Sequence, residues 1–200
     1  MVEPAQSPFI AVLRKVPTAS VREIVDILLE AGLGTVEITM DSESFDDDIA
    51  QAMAAGACVG AGTVRSVSDV HRACSLGASF LASPALEEHV VSAAHEHGIR
   101  MLPGCFTPTD IAKAVDFGCA EVKIFPASVY GPNGIAALHK PFSEVGFVTT
   151  GGIGLRDFAR YMAAGASQVG IGVGQGLSRD DVGPVVEAIE SWTRTETWAE

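Results

Sequence analysis

The chain has 200 residues, is 48% hydrophobic with 21 glycines, and carries a formal net charge of −12 at pH 7. This length suits one domain with a sizeable core, and the acidic balance argues against a nucleic-acid partner, because binding to nucleic acid needs clustered Lys and Arg. No apolar run reaches the roughly 20 residues that a membrane-spanning helix needs, so no membrane role is expected.

Short apolar runs alternate with longer amphipathic stretches along the chain. The apolar runs predict eight strands: Phe9–Leu13, Thr35–Thr39, Cys58–Thr63, Phe80–Ser83, Met101–Pro103, Glu121–Phe125, Phe147–Thr150 and Gln168–Val173. The amphipathic stretches predict helices between and after them: Ser20–Ala31, Ser44–Ala54, Ser66–Leu76, Leu86–His97, Pro108–Phe117, Gly134–Lys140, Leu155–Ala164 and Asp180–Thr193.

The alternation of strands and helices predicts a parallel sheet, and eight such repeats favour a closed (β/α)8 TIM barrel over an open doubly wound sheet. A Rossmann fold would carry a glycine-rich turn after its first strand, where this chain has Arg14-Lys15-Val16-Pro17. We expect one barrel domain over residues 1–200, with short tails at residues 1–7 and 195–200.

A lysine and a glutamate are directed into the interior of the predicted barrel. In the sixth strand the apolar Val122 and Ile124 face the helices, so Lys123 faces the lumen, and the same alternation directs Glu37 of the second strand inward. A structural ion pair is the alternative, but buried pairs stabilise poorly compared with apolar packing. Lysine at such a site is a candidate nucleophile, and a carboxylate is a candidate acid–base group.

Other residues converge on the carboxyl ends of the strands, where barrel active sites lie. Gly60-Ala61-Gly62-Thr63-Val64 ends the third strand with a hydroxyl at the rim. Thr149-Thr150-Gly151-Gly152-Ile153 and Gly170-Ile171-Gly172-Val173-Gly174 end the last two strands, the usual place of a phosphate cup. Arg14 is the one arginine that the pattern places at such an end. We expect it to bind an anionic group of a ligand, a carboxylate or a phosphate, and we favour the carboxylate.

The remaining signals indicate a cytoplasmic protein without a metal or cofactor. Met1-Val2-Glu3-Pro4 lacks the basic and apolar regions of a signal peptide. Cys58, Cys74, Cys105 and Cys119 are scattered, with neither a CxxC pair nor a metal-ligand spacing, as expected of free thiols in a reducing compartment.

Six motifs together resemble those of a known family. They are Val36-Glu37-Ile38-Thr39, Gly60-Ala61-Gly62-Thr63-Val64, Ser83-Pro84, Leu102-Pro103-Gly104, Val122-Lys123-Ile124-Phe125-Pro126-Ala127 and Thr150-Gly151-Gly152-Ile153. In their order and spacing, from Ile10 to about Leu177, the chain resembles the 2-keto-3-deoxy-6-phosphogluconate (KDPG) and 4-hydroxy-2-oxoglutarate (KHG) aldolases, which are class I barrel enzymes.

The resemblance implies a homotrimeric lyase that cleaves a 4-hydroxy-2-keto acid to pyruvate and an aldehyde. It implies Lys123 as the Schiff-base lysine and Glu37 as a general acid–base acting through a water. It also implies that Thr63 and Thr150 lie near the pyruvate carboxylate, and that Pro84 and Phe125 pack on the keto acid. To these the strand-end pattern adds further expected binding residues: Arg14, Gly151, Gly152 and Gly174. The resemblance adds Gln175, which stands where many members have a serine in the phosphate cup.

Two positions depart from the family pattern. Many members have a carboxylate-binding arginine where this chain has Asp41, so more of that task falls on Arg14, Thr63 and backbone groups. Many members have a serine in the phosphate cup where this chain has the bulkier Gln175, which leaves open whether a phosphate is required.

Two other functions stay open at this point. A phosphosugar isomerase or epimerase combines the same phosphate cup with Lys or Glu acid–base chemistry. A barrel whose site has decayed would serve as a binding module, although the intact Lys123 and Glu37 argue against it.

Overall fold

The computed structural model describes residues 7–196, and it describes side chains as far as Ser191. Of the predicted tails, residues 1–6 and 197–200 lie outside the described residues. Residues 195 and 196 belong to the last helix.

The centre of the described chain is a parallel sheet of nine short strands. They are β1 (Phe9–Leu13), β2 (Thr35–Thr39), β3 (Cys58–Gly62), β4 (Phe80–Ala82), β5 (Arg100–Leu102), β6 (Gly104–Cys105), β7 (Glu121–Ile124), β8 (Gly146–Thr150) and β9 (Gln168–Val173). Their spatial order is β5-β4-β3-β2-β1-β9-β8-β7-β6. Strands that follow each other in the chain are therefore neighbours, except β5 and β6, which stand at the two ends of the order, and β1 lies beside β9.

The strands β5 and β6 are two halves of one barrel strand, interrupted at Pro103. Proline has no N–H to donate to a ladder, which accounts for the break. β5 pairs with β4, β6 pairs with β7, and the backbone N–H of Lys123 donates to the carbonyl of Pro103 over 2.8 Å. These bonds join the two ends of the sheet, so the predicted (β/α)8 TIM barrel is confirmed, with an interrupted fifth strand.

Helices lie where the amphipathic stretches predict them. Those of the described residues are α1 (Thr18–Glu30), α2 (Phe45–Ala55), α3 (Val67–Ser75), α4 (Glu88–Glu96), α5 (Pro108–Asp116), α6 (Gly131–His139), α7 (Phe158–Ala163) and α8 (Arg179–Glu196). The predicted helix Leu155–Ala164 is in fact divided into a 3-10 turn, Leu155–Asp157, and α7. None of the described helices is both long and apolar enough to cross a membrane.

Alternation along the strands separates two apolar cores. The larger core lies between strands and helices and includes Val36, Ile38, Val122 and Ile124. A smaller core fills the lumen with Ile10, Phe80, Ala82, Leu102 and Val148. The predicted orientation of β2 and β7 is therefore confirmed, because their flanking apolar residues belong to the outer core.

The amino end of the lumen is closed by a polar network. The Arg100 guanidinium donates to both oxygens of Glu121, over 2.6 and 2.7 Å, and to Gln168 Oε1 over 2.5 Å. The amide of Gln168 in turn donates to the carbonyl of Ser7 over 2.6 Å. Arg100 also lies 5.7 Å from the centroid of the Phe80 ring, so the network packs directly under the apolar lumen core.

We predict that Glu121→Ala lowers the free energy of unfolding by about 1.5–3 kcal/mol, because it leaves a mostly buried guanidinium without its carboxylate partner. The two side chains are only 19% and 24% exposed. Urea denaturation followed by circular dichroism measures the change.

Asp26→Ala is the matched control, because Asp26 pairs with Arg22 on α1 where the side chains are 45% and 56% exposed. This control is expected to cost less than about 1 kcal/mol. Equal losses in the two variants would show that the Arg100–Glu121 pair stabilises no more than a surface pair.

Candidate active site

A cavity of about 450 Å³ opens at the carboxyl end of the barrel. It is lined by most of the residues that the sequence predicts for the site: Arg14, Glu37, Thr63, Pro84, Lys123, Phe125, Thr150, Gly151 and Gly152. These residues come from six barrel strands or the loops that follow them. The closed parallel sheet brings them together, because the carboxyl ends of all its strands meet at one rim.

Two predicted binding residues do not line this cavity. Gly174 and Gln175 follow β9, which ends at Val173, and neither residue is among those that line the cavity. Gly172, two residues earlier, does line the cavity, and a Cβ added there would meet no atom within 4 Å. The space above the end of β9 is therefore open next to Gly172.

The sequence prediction missed Val12, Thr39, Gly172 and Arg65 as lining residues. Val12 and Thr39 face the lumen by the same alternation as Glu37. The alternation of side chains along β1 and β2 could therefore have identified them as lining residues. The statement that Arg14 is the one arginine at a strand's carboxyl end is wrong, because Arg65 follows β3 and lines the same cavity. Its position in the loop just after the strand was the available signal.

Lys123 and Glu37 meet across the lumen. The Lys123 Nζ lies 3.2 Å from Glu37 Oε1 and 3.4 Å from Oε2, although the residues are 86 positions apart. Their side chains are only 9% and 4% exposed, so the pair is nearly withdrawn from water. The Phe125 ring also lines the cavity, and its centroid lies 5.7 Å from Lys123 Nζ.

Glycines create the space that this pair needs. A Cβ on Gly62 would lie 2.1 Å from Glu37 Oε1, so the carboxylate occupies the position that a β3 side chain would fill. A Cβ on Gly151, whose φ is +94°, would lie 2.8 Å from the Phe125 ring. Thr63 leaves β3 with φ 61°, a left-handed conformation that is rare for a β-branched residue and common at functional sites.

Asp41 engages the basic residues that follow β1. Its Oδ2 lies 2.9 Å from Arg14 Nη2 and 3.7 Å from Lys15 Nζ. Burial alone would raise the pKa of Asp41, but the hydrogen bond from Thr39 and the hydrogen bond and charge of Arg14 outweigh it and hold the pKa below its usual value. Asp41 is therefore a carboxylate at neutral pH, and Arg14 reaches the cavity with one carboxylate already bound.

The arrangement suits reactions of a carbonyl compound. An amine in contact with a carboxylate can attack a carbonyl and pass protons locally. Thr63, Thr150, Gly151 and Gly152 line the same cavity, so hydroxyl and backbone groups lie around it beside the charged pair. No group of three or more His, Cys, Asp or Glu able to hold a metal ion occurs in the described part of the chain.

Comparisons with known proteins give one consistent result. The family model of KDPG and KHG aldolase matches residues 4–182. A probable 2-dehydro-3-deoxy-6-phosphogalactonate aldolase of Rhizobium meliloti (strain 1021) is 34% identical over 186 residues, which are 90% of this chain and 88% of the relative. A 2-dehydro-3-deoxy-phosphogluconate aldolase of Treponema pallidum (strain Nichols) is 33% identical over 76% of both chains.

A solved structure agrees with the sequence comparisons. The structure named "Native KDPGal structure" superimposes with a TM-score of 0.81 at 28% sequence identity, covering 99% of this chain and 100% of that one.

We predict that Gly62→Ala separates Lys123 from Glu37. The new Cβ would collide with the end of the glutamate side chain, which can swing away more easily than the strand backbone can move. The lysine would then be buried without its partner, which typically costs about 3–5 kcal/mol of unfolding free energy. A crystal structure of the variant measures the separation, and urea denaturation measures the loss.

Gly172→Ala is the matched control, because it adds the same methyl group to another lumen-facing strand position where nothing lies within 4 Å. It should leave the Lys123–Glu37 distance unchanged. A Gly62→Ala structure in which that distance also persists would contradict the steric argument.

Proposed function

The chain belongs to the KDPG and KHG aldolase family and is therefore a carbon–carbon lyase, and on this premise we propose that it cleaves a 4-hydroxy-2-keto acid, KDPG or KHG or both, through a Schiff base on Lys123. The products are pyruvate and an aldehyde: glyceraldehyde 3-phosphate from KDPG, or glyoxylate from KHG. The observation that carries the proposal is the buried contact between Lys123 Nζ and Glu37 Oε1 at 3.2 Å.

The first half of the reaction forms the imine. Glu37 accepts a proton from the Lys123 ammonium, and the neutral amine attacks the C2 carbonyl of the substrate. The protonated Glu37 then returns its proton to the departing hydroxyl, so water leaves and a protonated imine remains. This route needs a carboxylate within hydrogen-bond reach of the amine, directly or through a water, as the pair provides.

The second half breaks the C3–C4 bond. Glu37, again a carboxylate, takes the C4 hydroxyl proton directly or through a water. The bonding electrons move into the imine, which becomes an enamine, and the aldehyde leaves. Glu37 gives the proton to C3, and hydrolysis of the resulting imine releases pyruvate and Lys123. The scheme uses no metal or cofactor.

The other cavity residues bind the substrate in this proposal. Thr63 and Thr150 donate to the carboxylate, and the apolar faces of Pro84 and Phe125 pack on the keto acid. Arg14, next to β9, binds an anionic group while it stays in contact with Asp41. These positions are supported by their common place around one cavity.

A phosphate on the substrate would lie over the loops after β8 and β9. Gly151 and Gly152 have φ values of +94° and +73°, so this loop needs glycine and can bring its backbone close to a ligand. We propose Gly174 and Gln175 as the outer edge of this subsite, which a ligand larger than pyruvate would reach.

Two further proposals concern assembly and location. We propose a homotrimer, which light scattering on the purified chain tests, and a cytoplasmic location. The four cysteines of the described residues are unpaired, which fits a reducing compartment.

We predict that borohydride reduction in the presence of pyruvate places a stable adduct on Lys123, and that Lys123→Met abolishes it. The reason is that reduction traps an imine, which only the amine in the cavity is positioned to form. Mass spectrometry of peptides locates the adduct. Lys113→Met, on the exposed face of α5, is the control that should retain it.

An adduct on Lys113 or Lys140, or none on the wild-type chain, would contradict the assignment. A chain acting as an isomerase, or one whose site has decayed, need not trap pyruvate at all.

We predict that Glu37→Gln still forms the trapped imine on prolonged incubation but loses about 10²–10⁴-fold in kcat for cleavage, the usual loss on removing a positioned acid–base group. Trapping and single-turnover cleavage measured on the same samples separate the two steps. Glu43→Gln, exposed in the loop after β2, is the matched control and should cleave as the wild type does. Wild-type cleavage by Glu37→Gln would make Glu37 a structural partner only.

A further inference from the structure

The cations around the cavity are not equally available to an anion. Lys123 contacts Glu37, and Arg14 contacts Asp41, which also attracts Lys15. Arg65 is exposed and takes part in no ion pair among the described side chains. Among the charged side chains that line the cavity, it is therefore the one whose guanidinium has no carboxylate already bound.

An anionic substrate needs such an uncommitted cation. Every 2-keto acid carries a carboxylate, whereas the chain as a whole has a net charge of −12. The electrostatic field of the protein thus opposes the ligand, and a guanidinium can offset this locally with a two-pronged charged hydrogen bond.

The loop after β3 holds Arg65 in a defined place. The backbone N–H of Val64 donates to Ala82 over 3.1 Å, and the N–H of Arg65 donates to Asp69 Oδ2 over 2.9 Å. Asp69 is itself fixed at the start of α3, where its N–H donates to Ser66 Oγ over 3.2 Å. The base of the side chain is therefore anchored two residues beyond Thr63, while its long stem remains free to reach a ligand.

The two arginines lie on opposite sides of the strand that carries Glu37. In the sheet order Arg14 follows β1, which pairs with β9 and its cavity-lining Gly172, whereas Arg65 follows β3 next to Thr63. Arg14 thus lies towards the glycine-rich loops and Arg65 towards the opposite part of the rim.

We propose that Arg65 binds the C1 carboxylate common to 2-keto acids, beside Thr63. It thereby takes the role of the arginine that many family members have at the position of Asp41. This inference rests on the proposed Schiff-base function. With Arg65 in this role, the site selects ligands that carry a free carboxylate next to the carbonyl. Arg14 then binds an anionic group in the distal part of the substrate.

Borohydride trapping on the full chain tests the inference with two ketones. Pyruvate carries the carboxylate, whereas hydroxyacetone presents a similar carbonyl without it. Arg65→Gln should raise the pyruvate concentration for half-maximal trapping by about 10–100-fold, as expected for loss of a charged hydrogen bond, and should leave hydroxyacetone trapping unchanged. Arg65→Lys, which keeps the charge but not the forked geometry, should fall between Arg65→Gln and the wild type.

Arg160→Gln is the matched control, because Arg160 pairs with Asp157 on the helical surface and the change in net charge is the same. It should trap both ketones as the wild type does. Unchanged hydroxyacetone trapping by Arg65→Gln also shows that the variant is folded and that Lys123 is reactive.

Two results would overturn the inference. Arg65→Gln could lose both ketones equally, or it could trap pyruvate at wild-type concentrations. In the second case, a KM that rises only for a phosphorylated or dicarboxylate substrate would assign Arg65 to the distal anion. Failure of the wild-type chain to trap pyruvate would instead overturn the Schiff-base function itself, so the two failures are distinguishable.

Discussion

A lysine and a glutamate buried in one barrel lumen have to neutralise each other, because either charge alone would be costly to remove from water. Much of the surrounding sequence follows from this requirement. Gly62 leaves the space that the Glu37 carboxylate fills, and Gly151 leaves the space for the Phe125 ring that covers the lysine. Lys123 is also tied to the closure of the barrel, since its N–H bonds the carbonyl at the interrupted fifth strand.

The lumen is layered around that pair. An apolar layer that includes Phe80 and Val148 lies beneath it, and the network of Arg100, Glu121 and Gln168 closes the amino end. Water therefore reaches Lys123 and Glu37 from the carboxyl side, which is also where a substrate must enter. A cavity with one open end suits the proposed reaction, in which water leaves and returns at defined steps.

Most of the fold could be predicted because its signals are local. The period of apolar residues located the strands and helices to within a few positions, and alternation in β2 and β7 directed Glu37 and Lys123 inward. The interruption at Pro103 was not predicted, although proline's missing N–H explains it. Arg65 was missed because the path of the loop after β3, with Thr63 in a left-handed conformation, cannot be read from periodicity.

The sequence by itself determined the barrel, the inward orientation of Lys123 and Glu37, and the family resemblance, since each depends on side-chain period or on the order of short motifs. Only the tertiary structure decided that the two side chains touch, that Asp41 binds Arg14, that Arg65 has no ion-pair partner among the described residues, and that Gly174 and Gln175 do not line the cavity. The physical reason is distance: charge pairing acts between atoms a few ångströms apart, and closure of the sheet brings residues that are remote in the chain within that range.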